Sequence, residues 1–222
     1  MLVTRSCRKY QAAEEGKGRK PMIISERIRC HDFPCRGVDK AAYVVPPVEI
    51  EPGKIRILMI TEAPPRDESD YFYTDGNPFY LQTTLQAFND AGANVLSMEA
   101  ILNLGVYITT AVKCAKTAYA VSPNTMLNCS HLLQEEVGLF PDVRAFMLMG
   151  DVAIKMMNNI WRKQTGKRIV PAGSTYKIRG QPHYLGAVRV FPSYTPAGKN
   201  FLIEKSKRIM VAEDIREALK LL

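Results

Sequence analysis

No apolar run in this chain approaches the ~20 residues a helix needs to cross a bilayer, so an integral helical membrane protein is not expected. The first nine residues, Met-Leu-Val-Thr-Arg-Ser-Cys-Arg-Lys, lack the apolar core of a signal peptide, which predicts a cytoplasmic protein. Cysteines are few and odd in number, at 7, 30, 35, 114 and 129. In such a compartment that argues against a disulfide framework and turns attention to a metal or cluster site. Internal repeats are missing too, so a solenoid or propeller is not expected. Histidine is scarce: His31 lies between two cysteines, and His131 and His183 have no evident partner.

What is present reads as one globular unit. The 222 residues are 46% hydrophobic and 23% charged, ordinary for a globular chain and suited to one generous domain. A monomer is expected. The formal net charge is +8 and the pI about 9.3. Such a balance favours an anionic partner, foremost nucleic acid, although a basic surface also serves solubility.

Residues 1–24 are polar and basic and read as a flexible arm; residues 25–222 read as the single domain. Ile55 to Pro65 is the stretch that organises the rest. Five of its first six residues are apolar, the pattern of a strand buried on both faces. It then ends in Thr61-Glu62-Ala63-Pro64-Pro65, where the prolines cannot extend a ladder. Further strands are expected over 106–112, 145–149 and 188–191, with helices over 78–91, 122–137, 151–161 and 205–222. Ser122-Pro123 is a good helix start, an N-cap followed by proline at the first position. In the closing helix Ile209, Val211, Ile215, Leu219 and Leu222 are placed on or near one face. Strands separated by helices predict a three-layer α/β fold with a central four-stranded parallel sheet. In such sheets ligands bind beyond the carboxyl ends of the strands, which makes the Thr61–Pro65 turn a candidate site edge.

Cys30, Cys35, Cys114 and Cys129 form the second feature. Four thiolates from two separated segments can hold either a zinc ion or an iron–sulfur cluster. Spacing leaves both open, together with the plain possibility of small buried residues.

From Cys30 onward the chain resembles the uracil-DNA glycosylase superfamily, in particular its iron–sulfur family 4 branch. The residues that carry the likeness are Cys30/Cys35, Thr61–Pro65 against a Gly-Glu-Ala-Pro-Gly loop, and Gly76-Asn77-Pro78-Phe79 against Gly-x-Pro-Phe. They continue with Thr110-Ala111-Val112-Lys113-Cys114 against Asn-x-x-Lys-Cys, with Cys129 on the next helix. Met149–Ala153 resembles the family's Gly-x-x-Ala helix start, Gly173–Gly180 its basic hairpin, and Pro192–Lys199 its His-Pro loop.

The resemblance implies a [4Fe–4S] cluster on Cys30, Cys35, Cys114 and Cys129, zinc being the alternative. It also implies a DNA partner, single- or double-stranded, and a pocket for a flipped base, whose anion must be stabilised as it departs. Glu62, Thr110 and Thr195 stand at the catalytic positions; Thr61, Ala63, Phe79 and Thr110 stand at the base-binding ones. Glu62 would orient a water, or serve only as a solvated or capping carboxylate. Phe79 would stack on the base, or pack into the core as a helix-start residue. Ala197, Gly198 and Lys199 would enter the duplex or contact it, with Lys177 and Arg179 on phosphates. Three departures bear on the chemistry. Thr195 replaces the histidine donor, Thr110 replaces the base-reading asparagine, and Pro65 removes a backbone N–H. Weak activity on uracil, or a different base, is therefore expected; a non-catalytic nucleic-acid-binding module is the alternative.

Overall fold

The computed structural model describes residues 20–222, the side chains of residues 199 and 200 excepted. Strands β4 (Ile57–Thr61), β5 (Val106–Thr110), β7 (Ala145–Met149) and β9 (Val188–Ser193) run parallel, in the spatial order β5-β4-β7-β9. All residues of β4, β5 and β7 are buried. Alternate side chains feed two cores, as strand geometry requires. Leu58, Ile60, Tyr107, Phe146 and Leu148 pack with helices α4 (Pro123–Val137) and α5 (Asp151–Thr165). Ile57, Met59, Ile108 and Met147 pack with α2 (Phe79–Asp90), α3 (Met98–Asn103) and α8 (Lys205–Leu219). These are the three layers that the alternation of strands and helices predicts.

The sheet has five strands, one more than expected. A short β8 (His183–Leu185) pairs antiparallel with β9 through the two-residue turn Gly186-Ala187, with Gly186 at φ 61°. Tight hairpin turns need that positive φ. The hairpin therefore lies after Gly173–Gly180, where the basic hairpin was expected. That segment instead holds the single helical turn α6 (Thr175–Ile178). β9 continues through Pro192, beyond the end of its pairing with β8. Proline is tolerated there because the strand is an edge on that side.

Two more expectations are corrected at the ends of the chain. Of the arm expected over 1–24, residues 1–19, Cys7 included, lie outside the described residues. However, β1 (Met22–Ile23) pairs with β3 (Glu49–Ile50), and Ile24, which opens the short helix α1 (Ile24–Arg27), is fully buried. Ordered structure thus takes in residues ahead of 25. In α8, Ile209 is exposed, while Val211, Ala212, Asp214, Ile215 and Ala218 form the buried face. Ile209 sits ~200° round the helix from Val211. Among the described residues no helix is long and apolar enough to cross a membrane.

The start of α4 follows its sequence signal: the Ser122 hydroxyl accepts from Thr125 N–H at 3.1 Å, and Pro123 opens the helix. A two-stranded ribbon, β2 (Val38–Tyr43) with β6 (Cys114–Lys116), lies beside the main sheet and sets Tyr43 opposite Cys114.

Candidate functional site

The chain leaves β4 to form β5 on one side and later returns to form β7 on the other. The carboxyl end of β4 is therefore the switch point at which α/β sheets open a crevice. A cleft of about 390 Å³ lies there, within the ~300–1,000 Å³ usual for small-ligand sites. Thr61 to Arg66 form one wall; Tyr80 from α2, Lys116 from β6, and Thr195, Ala197 and Gly198 after β9 complete it.

Backbone bonds hold the first wall. Ala111 N–H donates to Thr61 O at 2.8 Å and Val112 N–H to Glu62 O at 3.0 Å, carrying the β4–β5 ladder past the end of β5. The Thr61 hydroxyl turns away, donating to Thr109 O at 3.3 Å. The Glu62 carboxylate is held by Lys116, whose Nζ is 2.9 Å from Oε1; each side chain is about one-third exposed, 28% and 33% respectively. Lys116 Nζ also donates to Tyr119 O at 3.0 Å. Arg66 binds the carbonyls of Lys116 and Thr117, so the turn and β6 grip each other. On the far wall Gly198 N–H donates to the Thr83 hydroxyl at 3.3 Å, joining the last loop to α2. Gly198 has φ 94°, and a side chain there would also sit against the Tyr80 ring. Burial, and then the carboxylates of Asp70 and Glu62, push the Tyr80 phenol above its ordinary pKa. It remains a neutral donor in the cleft.

The expected site residues are thus brought together unevenly. Thr61, Glu62, Ala63, Thr195, Ala197 and Gly198 share the cleft. Phe79 is half-buried, gives its N–H to Asp70 at 3.4 Å, and does not line it; its neighbour Tyr80 does. Thr110, paired with Thr61 across the sheet, is fully buried and does not line the cleft, and its hydroxyl has no hydrogen-bond partner among the described residues. Lys177 is exposed on α6. Arg179 is engaged inside the fold instead of reaching outward. Its Nε and one terminal nitrogen reach Asp214 at 3.0 and 2.8 Å, and it also binds Glu213 and Met210 O. Asp214 in turn accepts from the Ser193 hydroxyl at 2.5 Å, bracing the root of the Thr195 loop. Burial keeps the Asp214 carboxyl above its usual range, against the pull of Arg179 and Ser193. Lys199 opens α7 (Lys199–Ile203), and its side chain lies outside the described residues. Tyr80, Arg66 and Lys116 escaped sequence reasoning. A one-residue step on a helix turns a side chain by ~100°, which motif spacing cannot resolve. The one signal for Lys116 was its period-two step from Cys114.

A second cleft is lined by all four expected cysteines with Phe33, Tyr43, Val112 and Leu132. Cys114 opens β6, Cys129 lies on the buried face of α4, and Cys30 and Cys35 close over them. The Tyr43 hydroxyl accepts from Cys30 N–H at 3.1 Å and donates to Ile28 O at 3.3 Å. Lys113 N–H points at Cys129 Sγ, 3.4 Å away. Burial, then the neighbouring thiols, push Cys114 up to about 12. Burial raises Cys129 to about 11, although Lys113 pulls the other way. Four thiols gathered on one mostly apolar cleft are a soft, anionic donor set once deprotonated, suited to a thiophilic metal or cluster. Among the described residues, no three Cys, His, Asp or Glu side chains are gathered closely enough for one metal ion.

A family model of the uracil DNA glycosylase superfamily matches residues 47–219. The chain belongs to this superfamily. It is also similar to a type-5 uracil-DNA glycosylase of Thermus thermophilus, 27% identical over 95 residues, which are 43% of this chain and 43% of that one. The match thus spans less than half the length of the curated relative. The relative is named as type 5, whereas the sequence motifs resemble the family 4 branch; the superfamily is common to both. Within the superfamily match fall the whole cleft, Cys114 and Cys129, whereas Cys30 and Cys35 precede it.

Proposed function

We propose that the protein hydrolyses the N-glycosidic bond of a flipped uracil or other damaged base in DNA. The observation that carries this reading is the cleft at the β4 switch point, with a carboxylate, Glu62, held in its wall by Lys116. An extruded nucleotide would lay its base on Tyr80, and Glu62 would orient water toward the sugar carbon. Ala197 and Gly198 line the cleft, and Leu202 and Ile203, a few residues further along the chain, are exposed, apolar side chains of the kind that fill a vacated base position. The net charge of +8 suits a phosphate backbone. Activity on uracil is expected to be weak, because Thr195 offers no imidazole and the buried Thr110 side chain does not line the cleft. The test is incubation with single- and double-stranded oligonucleotides carrying uracil, hypoxanthine, xanthine or an alkylated base. Abasic product from at least one is expected, and none from any sinks the reading.

The same buried Thr110 and missing imidazole favour a second reading, a non-catalytic nucleic-acid-binding module. Affinity that falls steeply with salt, without turnover, distinguishes it.

Cys30, Cys35, Cys114 and Cys129 would hold a [4Fe–4S] cluster. Their convergence on one cleft supports this. Bound there, the cluster would cross-link the segment before β2 to β6 and α4. The anaerobically purified protein is expected to be brown, with about four irons per chain and a broad visible absorption lost in Cys114→Ala. A colourless protein with stoichiometric zinc replaces the cluster by a zinc site.

A further inference from the structure

Breaking an N-glycosidic bond separates charge. The electron pair of the bond stays on the base nitrogen, and the sugar becomes oxocarbenium-like. Water then adds its oxygen to the sugar carbon, and its proton ends on the base or in solvent. An active site can lower this barrier by holding a negative group near the sugar and a positive one near the base before reaction begins. In the superfamily pattern the positive pole is a donor on the loop where this chain has Thr195, so the expected stabiliser of the base anion is gone.

The cleft contains a cation that no family motif points to. Lys116 Nζ sits 2.9 Å from Glu62 Oε1, and its remaining bond is to the Tyr119 carbonyl at 3.0 Å. The ammonium also lies 5.8 Å from the centroid of the exposed Tyr119 ring; of its three donors, one has no hydrogen-bond acceptor among the described residues, and the side chain lines the cleft. Arg66 is a poorer candidate, since its guanidinium is tied to two main-chain carbonyls on the rim. Lys116 is also well anchored. It ends the three-residue strand β6, is paired with Val38 of β2, and has its own carbonyl gripped by Arg66.

We propose that Lys116 is the catalytic cation that takes the place of the missing donor, stabilising a pyrimidine leaving group as it departs as an anion. Resting on the glycosylase reading above, this makes Glu62 and Lys116 one polarised pair. The carboxylate faces the sugar as positive charge grows there, and the ammonium faces the base. A Lys–Glu pair of this kind has no net charge at rest, yet its two ends match the two signs that the breaking bond creates.

The test compares uracil with 5-fluorouracil, whose anion is the better leaving group, in single-turnover excision from the same oligonucleotide with protein in excess. Lys116→Met is expected to slow uracil release about a hundredfold and 5-fluorouracil release markedly less. Lys116→Arg should recover most of the loss. An equal slowing of both bases overturns the proposal, because a merely positioning or structural lysine has no reason to distinguish leaving groups. So does an unchanged rate with weaker binding and a salt slope reduced by about one, the mark of a phosphate contact. Wild-type protein that releases neither pyrimidine overturns the proposal too. Release of a purine in that case leaves the glycosylase reading standing on its own.

Discussion

Replacing Lys113 by methionine is expected to lower the unfolding free energy by about 3–5 kcal/mol. Lys113 and Glu136 face each other as an ion pair with both side chains fully buried. The ammonium uses its other two donors on the Thr109 hydroxyl at 2.9 Å and Thr110 O at 2.6 Å. The second carboxylate oxygen accepts from the Tyr107 hydroxyl at 2.7 Å and the Thr109 hydroxyl at 2.8 Å. Such a network tolerates burial because every member is satisfied. Methionine keeps the length of the side chain but leaves a carboxylate in the core without its cation, and it is that unpaired charge which costs stability. The double variant Lys113→Met/Glu136→Leu should accordingly regain much of the loss, since well-packed apolar replacements of buried pairs are often neutral. Urea unfolding with an unchanged m-value is the measurement. If the double variant is as unstable as the sum of the two single ones, the pair is not the source. The network ties the end of β5 to α4 and so sets the course of the Val112–Cys114 segment from the β4 end of the sheet into the cysteine cleft.

That network also shows where the sequence stopped being informative. β4, β5 and β7 were legible because both faces are buried, which writes an apolar run into the chain. That the four cysteines come together was legible because cysteine is rare in the chain and their order is distinctive. β8 was not, since three residues with an exposed Tyr184 between two buried neighbours carry too little pattern. Lys113 and Glu136 lie 23 residues apart, and nothing local marks either as buried; a lysine beside a cysteine and a glutamate near a helix end both read as solvent-facing. The cleft was half legible. Its walls at Thr61–Pro65 and Thr195–Gly198 follow from strand ends, which the sheet must place together. Tyr80 and Lys116 depend on how α2 and β6 are rotated, which tertiary packing decides.

Glu62→Gln is expected to reduce base excision by about 10²–10⁴-fold while leaving DNA affinity nearly unchanged. The substitution is chosen because it separates charge from geometry. Glutamine keeps an oxygen that can accept from Lys116 Nζ, now at 2.9 Å, and the Glu62 carbonyl remains bonded to Val112 N–H at 3.0 Å. The wall therefore keeps its shape. What disappears, on the proposed role of Glu62, is the ability to take a proton from water and the negative potential beside the sugar. A carboxylate that is only solvated, or only a partner for Lys116 in holding β6, predicts a different result: excision within a few-fold of wild type, since the hydrogen bond survives. Single-turnover excision with protein in excess, alongside anisotropy binding to an oligonucleotide with a non-cleavable nucleotide at the target position, reads the two quantities separately. A large loss of rate at constant affinity assigns Glu62 to the chemical step. A matched loss of affinity assigns it to binding, because an interaction made equally in the ground and transition states changes affinity and leaves the bound rate alone.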